Sequence, residues 1–288
     1  MSIDLTEYNI LSKPTWCPGC GNFVIHASLK KALSELNIKP SEVFMSFDIG
    51  CNGNGADKIN LYRFKGLHGR SIPLAVGAHL ANRRFTVIAD IGDGGCFHEG
   101  LDHLVHAIRS NYNITILIHN NQNFALTTGQ ATVSTKKDKP MYAFPSGRTE
   151  RDFSISEFIL NLKPSFFAKA YSGDPLQLSE TIKEAINNKG CSIIEIMQLC
   201  PTYNKEFTPQ WVTQNIKKIS DIEGYDSSSF DNAIKVVSEK TLIYTGTIYK
   251  DENMKTFYDS LDSRKDSLTE LVDEVKPYDI TKLLKHFE

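Results

Sequence analysis

One unit of the sequence constrains the fold more than any other. The apolar run 85–91 ends on Gly92-Asp93-Gly94-Gly95, and an amphipathic stretch, 99–110, follows. A second apolar run, 114–119, then ends on Asn120-Asn121-Gln122-Asn123. Short runs rich in Val, Ile and Phe that stop at Gly or Asn read as strands. Between them, Leu101, Leu104, Val105 and Ile108 fall on one face at helical spacing. Strand, helix and strand in this order predict two parallel strands joined by a right-handed crossover. Asp93 and Asn121 are therefore expected side by side at one sheet edge.

The same alternation runs to about residue 200. Strands are expected at 43–48 and 192–198, and helices at 22–36, 72–82 and 174–188. The expected fold class is α/β, a doubly wound, mostly parallel sheet covered on both sides. Ligands of such sheets sit at the carboxyl ends of the strands. The stretch 127–154 has no clear period and reads as a long loop. After residue 200 the composition shifts: 28 of the last 88 residues are charged, against 38 of the first 200. We expect a cofactor-binding domain over 1–204 and a polar C-terminal extension over 205–288, packed on the core as a partner surface. It keeps one short strand, 242–245, and a short surface helix, 280–287.

Several function classes are disfavoured. The net charge is −2, which lacks the electrostatic footprint of a nucleic-acid binder. The run Lys136-Lys137-Asp138-Lys139 is short and reads as a solvated loop. No stretch approaches the ~18 apolar residues of a membrane span. Acidic residues stand where a signal peptide needs a basic region. A cytoplasmic enzyme or enzyme subunit is the expectation.

The glycines of 92–95 let a backbone approach a phosphate, and a helix N-terminus offers free N–H donors there. An Asp at a strand end is a hard oxygen ligand suited to Mg²⁺. Alone, the segment is equally consistent with a tight turn and a capping Asp, and the Asn-rich segment with a simple turn. Together, GDG followed about 28 residues later by NN matches the thiamine diphosphate fingerprint. Asp93 and Asn121 can share one Mg²⁺ with a backbone carbonyl, and Thr127 and Thr128 can donate to phosphate oxygens.

The cysteines are few, and their spacing is informative. Cys17-Pro-Gly-Cys20 supplies a chelating pair, while Cys51 and Cys200 each follow an expected strand. Both of these are therefore expected at strand carboxyl ends, on the edge that carries the diphosphate motifs. Four thiolates meeting there would hold a [4Fe–4S] cluster or a structural zinc. A redox-active CxxC pair is the other reading, and it leaves Cys51 and Cys200 without a role. Cys96 and Cys191 read as small buried apolar residues.

This combination resembles the β subunits of 2-oxoacid:ferredoxin oxidoreductases. The segments that carry the resemblance are WCPGCGNF (16–23), DIGC (48–51), GLHGRSIPLAVGAHLAN (66–82), IGDGG (91–95), HNNQNFALTTGQ (119–130) and LCPTYN (199–204). They cover about the first 205 residues. The resemblance implies a thiamine diphosphate-binding fold of the diphosphate type. It implies one [4Fe–4S] cluster on Cys17, Cys20, Cys51 and Cys200, and Mg²⁺ on Asp93, Asn121 and the carbonyl of Asn123. Gly92, Gly94, Gly95 and Thr127 would contact the diphosphate, within a cofactor segment that includes Phe124 and Ala125. Gly50, Cys51, Asn52 and His68 would lie near the thiazolium, with Leu126 wedged beneath the cofactor. His68 and Arg70 would orient the substrate carboxylate. The implied reaction is oxidative decarboxylation of a 2-oxoacid to acyl-coenzyme A, with electrons passed through the cluster to ferredoxin. An α subunit would supply the pyrimidine-type domain and its activating carboxylate.

The chain departs from the family pattern in four places. The usual GDGD ends in Gly95, the usual Tyr of the NN loop is Phe124, the usual TGGQ reads Thr127-Thr128-Gly129-Gln130, and the usual SPT reads Thr132-Val133-Ser134. At Asn54 there is no fixed cation for a dicarboxylate's distal end, and Lys58 and Arg63 are near in sequence. Two alternatives stay open: a non-redox thiamine-dependent decarboxylase or synthase subunit with a structural Cys₄ zinc, and a silent electron-transfer or scaffold subunit.

Overall fold

The computed structural model describes residues 3–287 apart from 142, 206, 207 and 278. Among them, eight strands form one sheet: β1 (Val43–Phe47), β2 (Tyr62–Lys65), β3 (Thr86–Gly92), β4 (Thr115–Asn120), β5 (Phe166–Tyr171), β6 (Ser192–Met197), β7 (Ile216–Lys218) and β8 (Ile243–Lys250). Their order is β2-β1-β3-β4-β6-β5-β8-β7. The first six neighbours run parallel, β8 is antiparallel to β5, and β7 is parallel to β8.

The centre of the sheet is apolar because both faces are covered. Every residue of β4 and β6 is buried. On one face lie α1 (Gly21–Glu35) and α5 (Pro175–Asn187). Their Ile25, Leu29, Leu33, Leu178 and Ile182 join Phe47, Leu117 and Ile194 in one core cluster. On the other lie α2 (Ser71–Ala81), α3 (Leu101–Ser110) and α4 (Ile155–Asn161), whose Ile72, Leu104 and Ile159 join Val87, Ile116 and Ile193. This is the expected doubly wound α/β class.

The expected strands at 43–48, 85–91, 114–119 and 192–198 appear as β1, β3, β4 and β6, within about a residue. The expected helices appear as α1, α2, α3 and α5. The helix expected from 99 instead begins with a π-helical turn, Gly95–Glu99, before α3. A Cβ on Gly100 would lie 2.7 Å from the Gly69 carbonyl, so a close backbone approach fixes this junction. β2 carries no strand signal because it is an edge strand exposed at all four positions. β5 follows closely on α4 and carries Lys169, which breaks its apolar run. Inside the fold, that lysine lies 3.4 Å from the buried Glu195 of β6.

The tail needs a correction. The sequence suggests one short strand after residue 200, and the structure has two in the main sheet. β8 is eight residues long and pairs with β5, while β7 forms the far edge. Around them lie α6 (Pro209–Asn215) and α7 (Phe230–Val237), with Ala233 of α7 buried in the core. The short helices α8 (Leu271–Glu274) and α9 (Thr281–Leu284) are on the surface, α9 at the expected surface helix. Among the described residues, no helix is long and apolar enough to cross a membrane.

Candidate active site

The loops after β1, β3, β4 and β6 meet above the sheet. Three of them, with His68, line a half-open pocket whose empty space, part of it open to solvent, is about 480 Å³. Its walls are Ile49, Gly50, Cys51, Asn52 and His68, the turn Gly92, Asp93, Gly94 and Gly95, and the loop residues Asn121, Asn123, Phe124, Ala125, Leu126 and Thr127. Every expected cofactor-binding residue is in this lining. Gly92 pairs with His119 in the β3–β4 register, so the GDG and NN segments do leave neighbouring parallel strands.

Asp93 is almost completely buried. Its Oδ2 accepts hydrogen bonds from the hydroxyls of Thr132 (2.6 Å) and Ser134. Burial pushes its carboxyl up to about 6, against the hydroxyl bonds that lower it. A cation beside such a group would favour its charged form. Asn121 is fixed from three sides. Its Oδ1 accepts from the Asn123 amide (3.0 Å), and its carbonyl accepts from Asn123 Nδ2 (2.8 Å) and Asn204 Nδ2 (3.0 Å). The Asn123 carbonyl already accepts from the Ala125 amide. The Asn123 side-chain Oδ1 is buried without a hydrogen-bond partner among the described residues. This oxygen and the Asp93 carboxylate are hard donors of the kind Mg²⁺ takes.

The glycines also leave room for neighbouring side chains. A Cβ on Gly94 would lie 2.2 Å from the Phe124 ring, and one on Gly95 would lie 1.9 Å from Asp48 Oδ2. The following loop is pinned by the Phe124 amide to the Gln130 carbonyl (2.8 Å) and by Thr127 Oγ1 to Gln130 Oε1 (2.6 Å). Thr128, which stands where the family pattern has Gly, adopts φ +80°. A β-branched residue is strained there by about 1–2 kcal/mol. Thr128→Gly is accordingly expected to raise unfolding free energy by about 1 kcal/mol, read by urea denaturation. An equal loss would show that the side chain makes a stabilising contact that outweighs the strain.

His68 stands at the pocket wall. Its Nε2 lies 3.6 Å from Asp48 Oδ2, its Nδ1 lies 3.9 Å from Glu99 Oε2, and its ring meets Phe124 edge-on at 5.9 Å. Arg70 is not in the lining. Its guanidinium donates to the Glu99 carbonyl and, at 3.5 Å, to that of Gly69, so the structure does not bring it to the pocket with His68. Beneath the pocket, Asn52 Nδ2 donates to Asp90 Oδ1 (2.7 Å), and His119 Nε2 lies 3.0 Å from Asp90 Oδ2.

The cysteines gather beside this pocket. Gly19 takes φ +80°, which turns the Cys17–Cys20 segment, and Cys20 caps α1. The Gly21 amide donates to the Leu199 carbonyl (2.9 Å), and a Cβ on Gly21 would lie 2.9 Å from the Leu199 amide. That close approach seats the pair against the segment bearing Cys200. Trp16 Nε1 donates to the Cys51 carbonyl (2.6 Å). Burial pushes the Cys51 thiol up to about 12, and Cys20, Cys200 and Cys17 add to the rise. Burial also raises Cys20, again with Cys200 and Cys17 contributing. All four thiols are free, and among the described residues no three His, Cys, Asp or Glu are close enough to hold one metal ion. Cys96 and Cys191 are buried in the core cluster, as expected.

Thr132, Ser134, Asn204, Glu99 and Asp48 are the site's polar residues that sequence reasoning missed. Thr132 and Ser134 are visible in the sequence only as a departure from SPT, and Asn204 only as part of LCPTYN.

Comparison with known proteins agrees with this geometry. A family model described as "Thiamine pyrophosphate enzyme, C-terminal TPP binding domain" matches residues 48–196. A second model, for the C-terminal part of the pyruvate ferredoxin oxidoreductase beta subunit, matches 200–266. The chain is 33% identical over 262 residues to 2-oxoacid:ferredoxin oxidoreductase 1, subunit beta, of Aeropyrum pernix, covering 88% of this chain and 82% of that one. It is 35% identical over 213 residues to the 2-oxoacid:ferredoxin oxidoreductase subunit beta of Saccharolobus solfataricus, covering 73% and 70%. A solved structure of 2-oxoglutarate:ferredoxin oxidoreductase from Magnetococcus marinus, with 2-oxoglutarate, coenzyme A and succinyl-CoA bound, superimposes with a TM-score of 0.87 at 27% identity. It covers 99% of this chain and 96% of that one.

Proposed function

Because the chain belongs to the family of 2-oxoacid:ferredoxin oxidoreductase β subunits, we propose that it works with a partner subunit in the oxidative decarboxylation of a 2-oxoacid. Coenzyme A receives the acyl group, CO₂ leaves, and electrons pass through a [4Fe–4S] cluster to ferredoxin. The observation that carries the reading is the double position of Cys51. It lines the thiamine pocket, and it lies within electrostatic reach of Cys17, Cys20 and Cys200. A cluster held by these four cysteines would border the pocket wall and could take up electrons one at a time.

Bound thiamine diphosphate supplies the electron sink for decarboxylation, and a cluster supplies one-electron steps. The chain's own residues do the rest. Asp93, Asn121 and Asn123 hold Mg²⁺, while Gly92, Gly94, Gly95 and Thr127 admit the diphosphate. Leu126 shapes the floor, and His68 faces the reacting end. Arg70 acts from outside by holding the Glu99 backbone.

An α subunit and ferredoxin are the proposed protein partners, in the cytoplasm. The pocket wall supports a covering partner, since its Ile49 and Leu126 are both exposed. We assign the exposed, charged face of segment 205–288, whose β7 and β8 extend the sheet of 1–204, as a second partner surface. The test is anaerobic purification of this chain alone and with its co-expressed α subunit. The complex is expected to carry about four iron and four sulfide per chain and to show a reduced-cluster signal only after a 2-oxoacid and coenzyme A are added. The chain alone should turn over no 2-oxoacid. Zinc in place of iron, or a cluster that no oxoacid reduces, would move the assignment to a non-redox thiamine enzyme.

A further inference from the structure

We propose that Asp48 supplies, from the end of β1, the carboxylate that the fourth position of the diphosphate motif usually carries, and that it is a positioning residue for His68. The fourth position is Gly95 here. A Cβ placed on it would lie 1.9 Å from Asp48 Oδ2, 2.9 Å from Asp48 Cγ and 3.0 Å from His68 Cδ2. One volume beside His68 is thus filled by a side chain from β1 instead of from the turn after β3. An aspartate at either position would put its carboxyl in the same region, and the two cannot coexist without displacement. The inference rests on the reading of the pocket as a thiamine site.

The surroundings favour a functional carboxylate over a structural one. Asp48 is fully buried. Its Oδ1 accepts from the Gly69 amide (2.6 Å), but its Oδ2 has no hydrogen-bond partner among the described residues and faces His68 Nε2 at 3.6 Å. A buried carboxylate oxygen left without a donor calls for an explanation, and here the ring nitrogen of His68 is what it faces. Glu99 faces the other ring nitrogen from the π-helical turn, His98 stands on the same turn, and Phe124 closes the ring's flank. The ring is therefore bracketed by two carboxylates. Asp90 of β3 and the Cys96 thiol are within electrostatic reach of Asp48. Burial pushes the Asp48 carboxyl up to about 6, while His68 and the backbone amides oppose it.

The sign of the pH effect follows. The folded chain holds this proton more tightly than the unfolded chain, so stability falls as pH rises from about 4 to about 6. Above that window the charged, buried Asp48 destabilises the fold. Asp48→Asn keeps the shape and the Gly69 bond but removes the charge. At pH 7.5 it is expected to raise the unfolding midpoint by about 2 °C or more, with no gain near pH 4.

The experiment uses the complex of the full chain with its partner subunit, in four variants: Asp48→Asn, Asp48→Ala, Gly95→Asp and the double Asp48→Ala/Gly95→Asp. Asp48→Asn should lower kcat by about tenfold or more with KM within about threefold, while the midpoint rises. Gly95→Asp alone should lower both midpoint and kcat, because two carboxylates would compete for one space. The double variant should recover kcat to within about threefold of wild type. The proposal is overturned by Asp48→Asn that keeps kcat within about twofold or lowers the midpoint. A double variant no better than Asp48→Ala also overturns it. If Asp48→Ala does not fold, Asp48→Asn carries the test. The midpoints need no turnover, so they report on Asp48 even where the assigned reaction fails.

Discussion

Asp93→Asn is expected to remove 2-oxoacid-dependent cluster reduction by about 10³-fold or more, because metal-ion stabilisation is worth several kcal/mol. The substitution keeps the shape of the side chain. One amide oxygen can still accept from Thr132 and Ser134, so the loop that carries those hydroxyls stays anchored. What is lost is the only carboxylate among the described residues that line the pocket. The remaining oxygens there, from Asn121 and Asn123, are neutral and bind a divalent cation weakly without a charged companion. The diphosphate would then face helix and loop amides without its counter-ion. Calorimetric titration with thiamine diphosphate and Mg²⁺ should show affinity reduced by about 100-fold or more, with an unfolding midpoint near that of the wild-type chain. Affinity within about tenfold of wild type would remove Asp93 from the metal site.

The residues proposed for the metal and the diphosphate are readable because their chemistry is local. Asp93 and Asn121 stand at the ends of adjacent strands, and strand alternation alone predicts that adjacency. Thr132 and Ser134 are not readable in the same way. They reach Asp93 across 39 and 41 residues from a loop with no period, and nothing in a loop's sequence states which strand end it folds over. Asp48 looks like a strand terminus, and only the third dimension reveals that it fills the space above Gly95. Arg70 shows the opposite error. Its sequence neighbour His68 lies in the pocket wall, but α2 begins immediately after Arg70, and its side chain turns to the Glu99 backbone. In the tail, high charge reads as surface. β8 escapes notice beyond 245 because only Thr245, Ile248 and Tyr249 of its eight residues are buried, which blurs the alternation.

The cysteines separate the two halves of the proposed chemistry, and Cys200→Ser does so most cleanly. Cys200 is buried and belongs to the thiol group, yet it does not line the pocket, whereas Cys51 does both. Serine has nearly the same shape but is a poor ligand for iron, so the proposed cluster would lose one of its four attachment points. In the complex with the α subunit, Cys200→Ser is expected to hold less than about one iron per chain, give no reduced-cluster signal, and lower ferredoxin reduction by about 10³-fold or more. Thiamine diphosphate affinity should remain within about threefold of wild type, since no pocket wall changes. Cys51→Ser should lose the cluster in the same way and also weaken cofactor binding. Parallel iron analysis, low-temperature EPR and cofactor titration distinguish the two variants. Cys200→Ser with its full iron content and an oxoacid-dependent signal would exclude Cys200 as a ligand. The variant with no iron but unchanged turnover would show that electrons leave the pocket without passing the cysteines, and the redox assignment would fall with it.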